Sequence, residues 1–252
     1  LSFKSNATEE PIYPGSDLTV TLRLDNLVAE DGIRAIEGYI DIDENVLEDL
    51  KPNSKLLEIS NMCPDDSHPH AIDLGLPSGT KWACCNVGAS KPEEFGDYYA
   101  WGEAITKDKY DWETYQYGNG SDKECQAIGD DIQGTRFDAA SKEWGNTWVT
   151  PTANQFIELV ETCKFEWIAY NERTSGLLFK ATNGRTVFFP AADSKWGTDI
   201  LFEGSGGMYW TSTQNEYDQC SAYHLNFGKE STNCRVGWGK SCGLTVRAVC
   251  AQ

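Results

Sequence analysis

Basic side chains are scarce in this sequence. It has 21 Lys and Arg residues against 39 Asp and Glu residues, which gives a formal net charge of −18 at pH 7. Because nucleic acids and anionic membrane surfaces are bound through basic patches, this deficit argues against both as partners. Long apolar runs are missing too, since no stretch reaches the roughly 18 apolar residues that span a bilayer. We therefore expect no nucleic-acid partner and no direct insertion into a membrane.

Histidine is also rare, with three residues in the chain. His68 and His70 lie in a polar segment, and His224 lies on a predicted strand with no predicted nucleophile beside it. The glycine-rich run at residues 204–207 is not followed by the helix and Lys-Ser/Thr of a phosphate-binding loop. We therefore predict no catalytic residue, no cofactor and a protein that is not an enzyme.

Aromatic residues, glycines and cysteines are abundant by contrast. The chain contains 9 Trp, 11 Tyr and 23 Gly, and 40% of its residues are hydrophobic. Such a composition supports a substantial core together with many loops. The 9 cysteines cannot all pair within one chain, because the number is odd. Disulfide bonds alone therefore do not account for the cysteine content.

Residues 1–60 contain the alternation that is typical of half-buried β-strands. Apolar and polar residues alternate in SDLTVTLRLDNL, which starts at Ser16, and in IRAIEGYIDID, which starts at Ile33. This stretch resembles the beginning of a cohesin-like or immunoglobulin-like sandwich. Because three or four strands cannot close a sandwich, we predict a small partial β segment over residues 1–60.

Residues 61–70, NMCPDDSHPH, are predicted to form a linker. The segment has prolines and acids and no hydrophobic periodicity. Cys63, His68 and His70 carry atoms that suit zinc, but no fourth ligand is evident nearby and the spacing matches no closed zinc motif. A solvated linker is the favoured interpretation, and we predict no metal site.

Residues 71–252 are predicted to form an α+β domain with two helices. Asp138 and Gly145 bracket the first predicted helix, in RFDAASKEWG. The second lies in TPTANQFIELVETCKFEW, where either Thr150 or Thr152 is the N-cap. Apolar residues recur at helical spacing after that cap, which indicates a face packed on the core.

Several β-strands are predicted in the same domain. AIDLGLPSGTKWACCNVGA, which starts at Ala71, predicts a hairpin around a Pro-Ser-Gly turn. Asn183-Gly184 lies between two apolar runs and predicts a hairpin with a type I′ turn. Further short strands are predicted in GGMYWTSTQ, AYHLNFG and LTVRAVC.

Seven segments of this domain carry a resemblance to a known family. They are, in chain order, DLGLPSGTKWACCNVGA, GDYYAWGE, WGNTWVTPTANQFIELVETCKFEW, FFPAA, YWTST, AYHLNF and LTVRAV. Through them, residues 71–250 resemble a domain of secreted Bacteroidetes proteins that is related to the Fibrobacter major paralogous domains. The resemblance implies a C-type lectin-like fold, of the subtype of formylglycine-generating enzymes, and a secreted or cell-surface location.

The same fold occurs in the variable proteins of diversity-generating retroelements, in which a reverse transcriptase scatters side chains over a kept scaffold. In residues 214–242, scaffold residues such as Tyr223, Leu225 and Phe227 alternate with residues that depart from the family. This alternation predicts a changeable ligand-binding face. The predicted ligand-binding residues are Asn215, Tyr217, Cys220, Ser221, His224, Asn226, Asn233, Cys234, Val236, Trp238, Ser241 and Cys242.

The resemblance leaves two other site chemistries open. Cys234 and Cys242 are candidate copper ligands of a formylglycine-generating oxidase, although their spacing is wider than in that enzyme family. Oxygen ligands for calcium-dependent sugar binding are offered by Asp193, Asn215, Glu216 and Asp218. Sequence motifs of the sugar-binding lectins are missing.

Disulfide bonds are a further possibility. The family often has cysteines at the positions of Cys84 or Cys85 and of Cys163, which implies a pair between them. A second expectation is pairing among the C-terminal cysteines, which are Cys220, Cys234, Cys242 and Cys250.

The function predicted from these observations is non-catalytic ligand recognition or adhesion at the surface of a bacterium or of a phage. The expected partner is a protein or glycan ligand on another cell or surface, bound through the C-terminal face. An adhesive or structural module without a dedicated ligand is the alternative.

Overall fold

The structure is a computed structural model that describes residues 2–5, 20–23, 68–170, 174–201 and 204–251. The chain divides into two compact units, Leu1–Leu50 and Lys51–Gln252. In the first unit, strand β1 (Ser2–Ser5) pairs antiparallel with β2 (Val20–Arg23). Strand β2 confirms a strand in the first alternating run. The second run, from Ile33, lies outside the described residues, as does most of the predicted linker.

The described part of the second unit is mostly β, with two short helices and several small antiparallel sheets. Its elements are β3 (Ala71–Asp73), β4 (Lys81–Ala83), α1 (Ala139–Trp144), β5 (Trp148–Val149), α2 (Ala153–Thr162), β6 (Lys164–Ala169), β7 (Ser175–Lys180), β8 (Thr186–Pro190), β9 (Ser194–Trp196), β10 (Asp199–Leu201), β11 (Gly206–Gln214), β12 (Ser221–Gly228), β13 (Thr232–Gly239), β14 (Gly243–Leu244) and β15 (Val249–Cys250). Neither helix is long and apolar enough to cross a bilayer.

The described part of this unit contains four small sheets. The strand order is β3-β4-β15-β5 in one sheet and β11-β12-β13 in a second. A third has the order β6-β7-β8, and a fourth has the order β10-β9-β14. Val249 of β15 pairs with Trp82 of β4 on one side and with Val149 of β5 on the other. The C-terminal strand therefore joins the first hairpin of this unit to the segment before α2.

Both predicted helices are confirmed, and their caps explain where they begin. Buried Asp138 is the N-cap of α1 and accepts hydrogen bonds from the main-chain N–H groups of Ala140 and Ser141. Thr152, one of the two predicted caps, forms a capping box with Gln155 at the start of α2. The predicted second helix is too long at its end, because KFEW belongs to strand β6.

The two predicted hairpins are also present, as β3–β4 and β7–β8. The predicted type I′ turn at Asn183-Gly184 is wrong. Such a turn needs positive φ at both central residues, and Asp193 is the one non-glycine residue with positive φ in the part of the chain that the structure describes. Instead, Gly184 alone has a positive φ of 82°, and its N–H donates to the Ala181 carbonyl. The loop is thus one residue longer than the predicted turn.

The single strand predicted in LTVRAVC is divided into β14 and β15. Between them, the Thr245 carbonyl accepts a hydrogen bond from Trp210 of β11, whereas the carbonyls of Val246 and Ala248 accept from residues 83–87, at the end of β4 and just after it. Buried Arg247 also donates to the carbonyls of Ala83 and Cys84, at 3.1 Å and 3.0 Å. These contacts bend the chain across the domain interior, which a local alternation pattern does not reveal.

Two groups of buried side chains form the main core. In the larger group, Phe156 of α2 packs against Trp82 of β4 and Phe189 of β8, with ring centroids 4.9 Å and 6.1 Å away. The other group contains Trp210 of β11 and Leu244 of β14. It lies beside the C-terminal segment on which the sequence predicted a binding face.

Candidate functional site

A cleft of about 500 Å³ opens beside β13. One wall is formed by the end of β13 and by the loop between β11 and β12, with Trp238, Asn215 and Asp218. The opposite wall is formed by β9, β10 and two loops, which supply Trp196 and Trp112. Its volume lies within the range of small-molecule sites, roughly 300–1,000 Å³.

Three tryptophans give the cleft flat apolar surface. Trp196 is 43% exposed and Trp238 is 37% exposed, and Trp112 is half-buried. Tryptophan is usually well buried in a protein of this size, so three partly exposed rings around one opening are unusual. Aromatic surface of this kind contributes large contact area with little loss of side-chain entropy on binding.

Polar groups between the rings are fixed by the loop that joins β11 to β12. The Asn215 side chain donates to Ser221 Oγ at 2.9 Å, and its Oδ1 accepts from the Tyr217 N–H at 3.0 Å. Asp218 Oδ1 accepts from the Cys220 N–H at 2.9 Å. These short-range bonds order the loop and fix the positions of its amide and carboxylate groups. Asp122 adds a second, exposed carboxylate.

A disulfide bond between Cys125 and Cys220 holds the two walls together. The residues are 95 apart in sequence, and Gln219 Nε2 also donates to the Cys125 carbonyl at 2.9 Å. The expected pairing of Cys220 with another C-terminal cysteine is therefore wrong. The distant partner follows from the fold, since Cys125 lies in a long loop whose position the sequence does not indicate.

Two glycines of β13 leave room for side chains that line the cleft. A Cβ atom on Gly237 would collide with Asn215 Nδ2 and would lie 3.0 Å from Ser221 Oγ. A Cβ atom on Gly239 would lie 3.1 Å from Cζ2 of Trp112. The sequence Gly-Trp-Gly thus presents one tryptophan to the cleft while its neighbours leave room for the opposing side chains.

The structure brings five of the predicted ligand-binding residues together in this cleft. They are Asn215, Cys220, Ser221, Trp238 and Cys242. Cys220 and Cys242 are buried, so they contribute only small areas of the cleft surface.

The other predicted residues lie outside the cleft. Tyr217 is 86% exposed, Asn226 and Asn233 are exposed, and Val236 is half-buried. The side chains of His224, Cys234 and Ser241 are buried. The cleft therefore contains fewer of the predicted ligand-binding residues than the alternation suggested.

Several cleft residues were not predicted from the sequence. Trp112 and Asp122 lie in the polar loop region, and Ser194, Trp196 and Leu201 lie on β9 and β10. Trp112 and Trp196 were detectable in part, because each is an isolated tryptophan among polar residues and glycines. Their convergence depends on the pairing of β9 with β14, which no local pattern in the sequence indicates.

His224 lies behind the cleft, between two tryptophans. Its ring centroid is 6.0 Å from that of Trp238 and 6.3 Å from that of Trp210. Neither ring nitrogen has a hydrogen bond of good geometry among the described residues. Burial lowers the pKa of His224 to about 4, against a smaller opposing effect of the Val236 main chain. The imidazole is thus neutral at neutral pH and supports the cleft from inside.

A lysine is buried on the same side of the domain. Lys240 Nζ donates to Gln214 Oε1 at 2.8 Å and lies 4.2 Å from the centroid of the Trp101 ring. Burial lowers the pKa of this amine to about 8, while Asp218 and Asp130 partly oppose the shift. Asp218 thus connects the cleft electrostatically to this interior cation.

Cys234 and Cys242, which lie nearer the C-terminus, are buried free thiols. Burial raises the pKa of Cys234 to about 12 and that of Cys242 to about 11, so both are thiols at neutral pH. The two belong to different core groups. Cys163 is a free thiol as well, so the pair with Cys84 or Cys85 that the family resemblance implied is not formed.

The oxygen ligands suggested for calcium do not form a cluster. Asp193 is buried and lies apart from the loop that contains Asn215, Glu216 and Asp218. Within the described residues, one group of three or more His, Cys, Asp and Glu side chains is close enough to share an ion, and it consists of His68, His70 and Cys84. That group lies at the β3–β4 hairpin and away from the cleft.

Comparisons with known proteins identify no relative. No protein-family model, no curated protein and no solved structure matches the chain.

Proposed function

We propose that residues 71–252 form a C-type lectin-like domain that recognises a ligand without catalysis. The resemblance in seven ordered segments supports this fold, and the mostly β architecture with two short helices is compatible with it. The disulfide between Cys125 and Cys220 supports a setting outside the cytoplasm, where such bonds persist. The proposed setting is the surface of a bacterium or of a phage.

The cleft beside β13 is the proposed binding site. The observation that carries this proposal is the convergence of Trp112, Trp196 and Trp238 around fixed amide and carboxylate groups. Partly exposed aromatic side chains that cluster around one opening are typical of ligand-binding surfaces. Cys234 and Cys242 belong to different core groups and so do not form the thiol pair that a copper oxidase needs, which favours recognition over that chemistry.

The chemistry of the cleft favours a neutral glycan among the two ligand classes expected from the sequence. Tryptophan faces pack against the apolar C–H faces of sugar rings, while the Asn215 and Asp218 side chains are suited to sugar hydroxyls. Asp122 and Asp218 together with the net charge of −18 disfavour an anionic ligand.

Binding to an array of neutral glycans, with the substitution Trp238→Ala, tests this function. Loss of a central tryptophan typically costs at least about 2 kcal/mol, which is roughly a 30-fold loss of affinity. Ile105→Ala is the matched control, because Ile105 is 72% exposed and lines a different groove. We expect this control to bind as the wild type does.

Two results would contradict the proposal. Equal glycan affinity of the wild type and of Trp238→Ala would remove the cleft as the site. Absence of any bound glycan, together with selection of a peptide ligand that needs Trp238, would leave the cleft but replace the ligand class. If neither a glycan nor a peptide binds, the adhesive module without a dedicated ligand is favoured.

The proposal of a changeable face concerns the exposed positions of residues 214–242. Tyr217, Asn226 and Asn233 tolerate many side chains without loss of core packing, because they are exposed. Natural alleles of the gene provide the test. Differences that concentrate at these exposed positions support variability, whereas differences spread evenly over the domain oppose it.

A further inference from the structure

His68, His70 and Cys84 place three metal-ligating atoms at one point of the surface, outside the cleft. The ligand atoms of the three residues all lie within 4.8 Å of one another. Cys84 Sγ is 3.2 Å from Nδ1 of His68 and 3.6 Å from Nδ1 of His70. The two imidazole rings meet edge to face, with centroids 5.2 Å apart.

The β3–β4 hairpin creates this arrangement. Ala71 pairs with Ala83 in the antiparallel register, and the next main-chain bond joins the Cys84 N–H to the His70 carbonyl at 3.0 Å. His70 and Cys84 therefore face each other at the open end of the hairpin. Arg247 fixes the Cys84 carbonyl from the interior, at 3.0 Å, so the sulfur sits on a rigid backbone.

The two distances between the Cys84 sulfur and the imidazole nitrogens agree with those around a tetrahedral ion. Zinc binds thiolate sulfur at about 2.3 Å and imidazole nitrogen at about 2.0–2.1 Å, which places N and S roughly 3.5 Å apart at a tetrahedral angle. The two observed N–S distances, 3.2 Å and 3.6 Å, bracket that value.

We propose that His68, His70 and Cys84 bind a zinc ion. Imidazole and thiolate are the ligands that zinc prefers, and the group contains none of the carboxylates that calcium or magnesium requires. Both imidazoles are half-buried and Cys84 is buried, so the ion enters from the side of the histidines. It joins the segment that precedes β3 to the end of β4.

Cys85 is not a ligand in this proposal. Its sulfur lies 3.8 Å from Nδ1 of His68, but its thiol donates to the Ala89 carbonyl at 3.4 Å. Among the described residues, three side chains thus supply the ligands of the ion. Such a site with three protein ligands retains an open coordination position.

Cobalt titration of the full chain tests the site, because cobalt bound by thiolate absorbs in the near ultraviolet. After treatment with a chelator and a reductant, the wild type should bind one equivalent of Co²⁺ with this band, and Zn²⁺ should displace it. His68→Gln and His70→Gln should weaken the affinity for Zn²⁺ by more than the roughly 10- to 100-fold that follows loss of an outer-sphere partner. Cys84→Ala should abolish the band.

Two controls separate metal binding from folding and from other thiols. Cys163→Ala removes a buried thiol of the same core group and should leave the cobalt band unchanged. Cys85→Ala should also retain it. Circular dichroism and thermal melting check that Cys84→Ala is folded, and the two histidine variants carry the test if it is not.

Three results would overturn the proposal. Folded wild-type protein that shows no thiolate–cobalt band has no such site. Unchanged zinc affinity in the histidine variants would place the ion elsewhere. Loss of the band in folded Cys85→Ala would replace the three-ligand assignment by a site with four protein ligands.

Discussion

Cysteine occurs both at the cleft beside β13 and at the open end of the β3–β4 hairpin, in two different settings. At the cleft, Cys220 faces Cys125, and the two sulfurs form a disulfide that joins distant loops. At the hairpin, Cys84 faces two imidazoles. A buried cysteine thus forms a covalent crosslink, as Cys220 does, or is placed as a metal ligand, as Cys84 is, according to the side chain opposite it. Residue type alone does not distinguish the two roles.

Histidine shows the same contrast. His224 is enclosed by Trp210 and Trp238 behind the cleft, while His68 and His70 are half-buried beside a sulfur. The cleft is therefore supported by a neutral interior imidazole, whereas the hairpin presents its imidazoles at the surface. Substitutions at the cleft that leave the hairpin unchanged measure how much each of these contacts contributes to stability.

Removal of the Cys125–Cys220 disulfide should have the largest effect. The bond joins residues 95 apart, and for a loop of this size chain entropy predicts roughly 4–5 kcal/mol of the free energy of unfolding. We expect Cys125→Ala/Cys220→Ala to lose about 2–5 kcal/mol in guanidinium unfolding followed by tryptophan fluorescence. Cys163→Ala, which breaks no bond, is the control. Equal losses in the two variants would show that the crosslink does not stabilise the cleft walls.

Protonation of His224 should have the next largest effect. Its pKa of about 4 in the folded state lies below the ordinary value of 6.5, so between these pH values the unfolded chain binds more protons. Stability should therefore fall as the pH is lowered from about 6.5 to about 4, and His224 should contribute at most roughly 3 kcal/mol to that fall. Unfolding of wild type and of His224→Gln across this range measures the difference.

The control for His224→Gln is Asn226→Gln, which changes an exposed residue on the same strand and adds no titrating group. It should follow the wild-type pH dependence. A His224→Gln variant with the same acid dependence as the wild type would show that the imidazole behind the cleft is not the group responsible.

The smallest expected effect concerns the close approach at Gly237. In Gly237→Ala the new Cβ collides with the Asn215 side chain, so the free energy of unfolding should fall by about 1–3 kcal/mol. Asn226→Ala, at an exposed position of the neighbouring strand, should stay within about 0.5 kcal/mol. Thermal melting compares the two. Similar melting temperatures would mean that the Asn215 side chain moves aside at little cost in free energy and is not held in place.

Local patterns predicted much of the secondary structure. The Asp138 and Thr152 caps begin helices at the expected residues, and the β3–β4 and β7–β8 hairpins follow apolar runs around turn residues. These features depend on neighbours in sequence, which a single chain displays directly. The turn type at Gly184 was missed because three-residue and two-residue loops share the same Asn-Gly signal.

The sites were harder to predict because they depend on contacts between distant segments. Trp112 and Trp196 reach the cleft only after β9 pairs with β14, and Cys125 reaches Cys220 across 95 residues. Cys84 completes the histidine pair through hairpin register, whereas the sequence suggested Cys63, which lies outside the described residues. The burial of individual side chains also could not be inferred from the alternation pattern. His224 was therefore predicted at the surface, whereas it lies in the interior.

The position of β15 has a consequence for how this protein is made. Val249 pairs with both Trp82 and Val149, so the last strand lies in the middle of a sheet whose other members are synthesised long before it. During translation, β4 and β5 lack their shared neighbour until β15 has left the ribosome. This sheet is therefore completed only after β15 is synthesised, and chains that stop before β15 leave the facing edges of β4 and β5 unpaired.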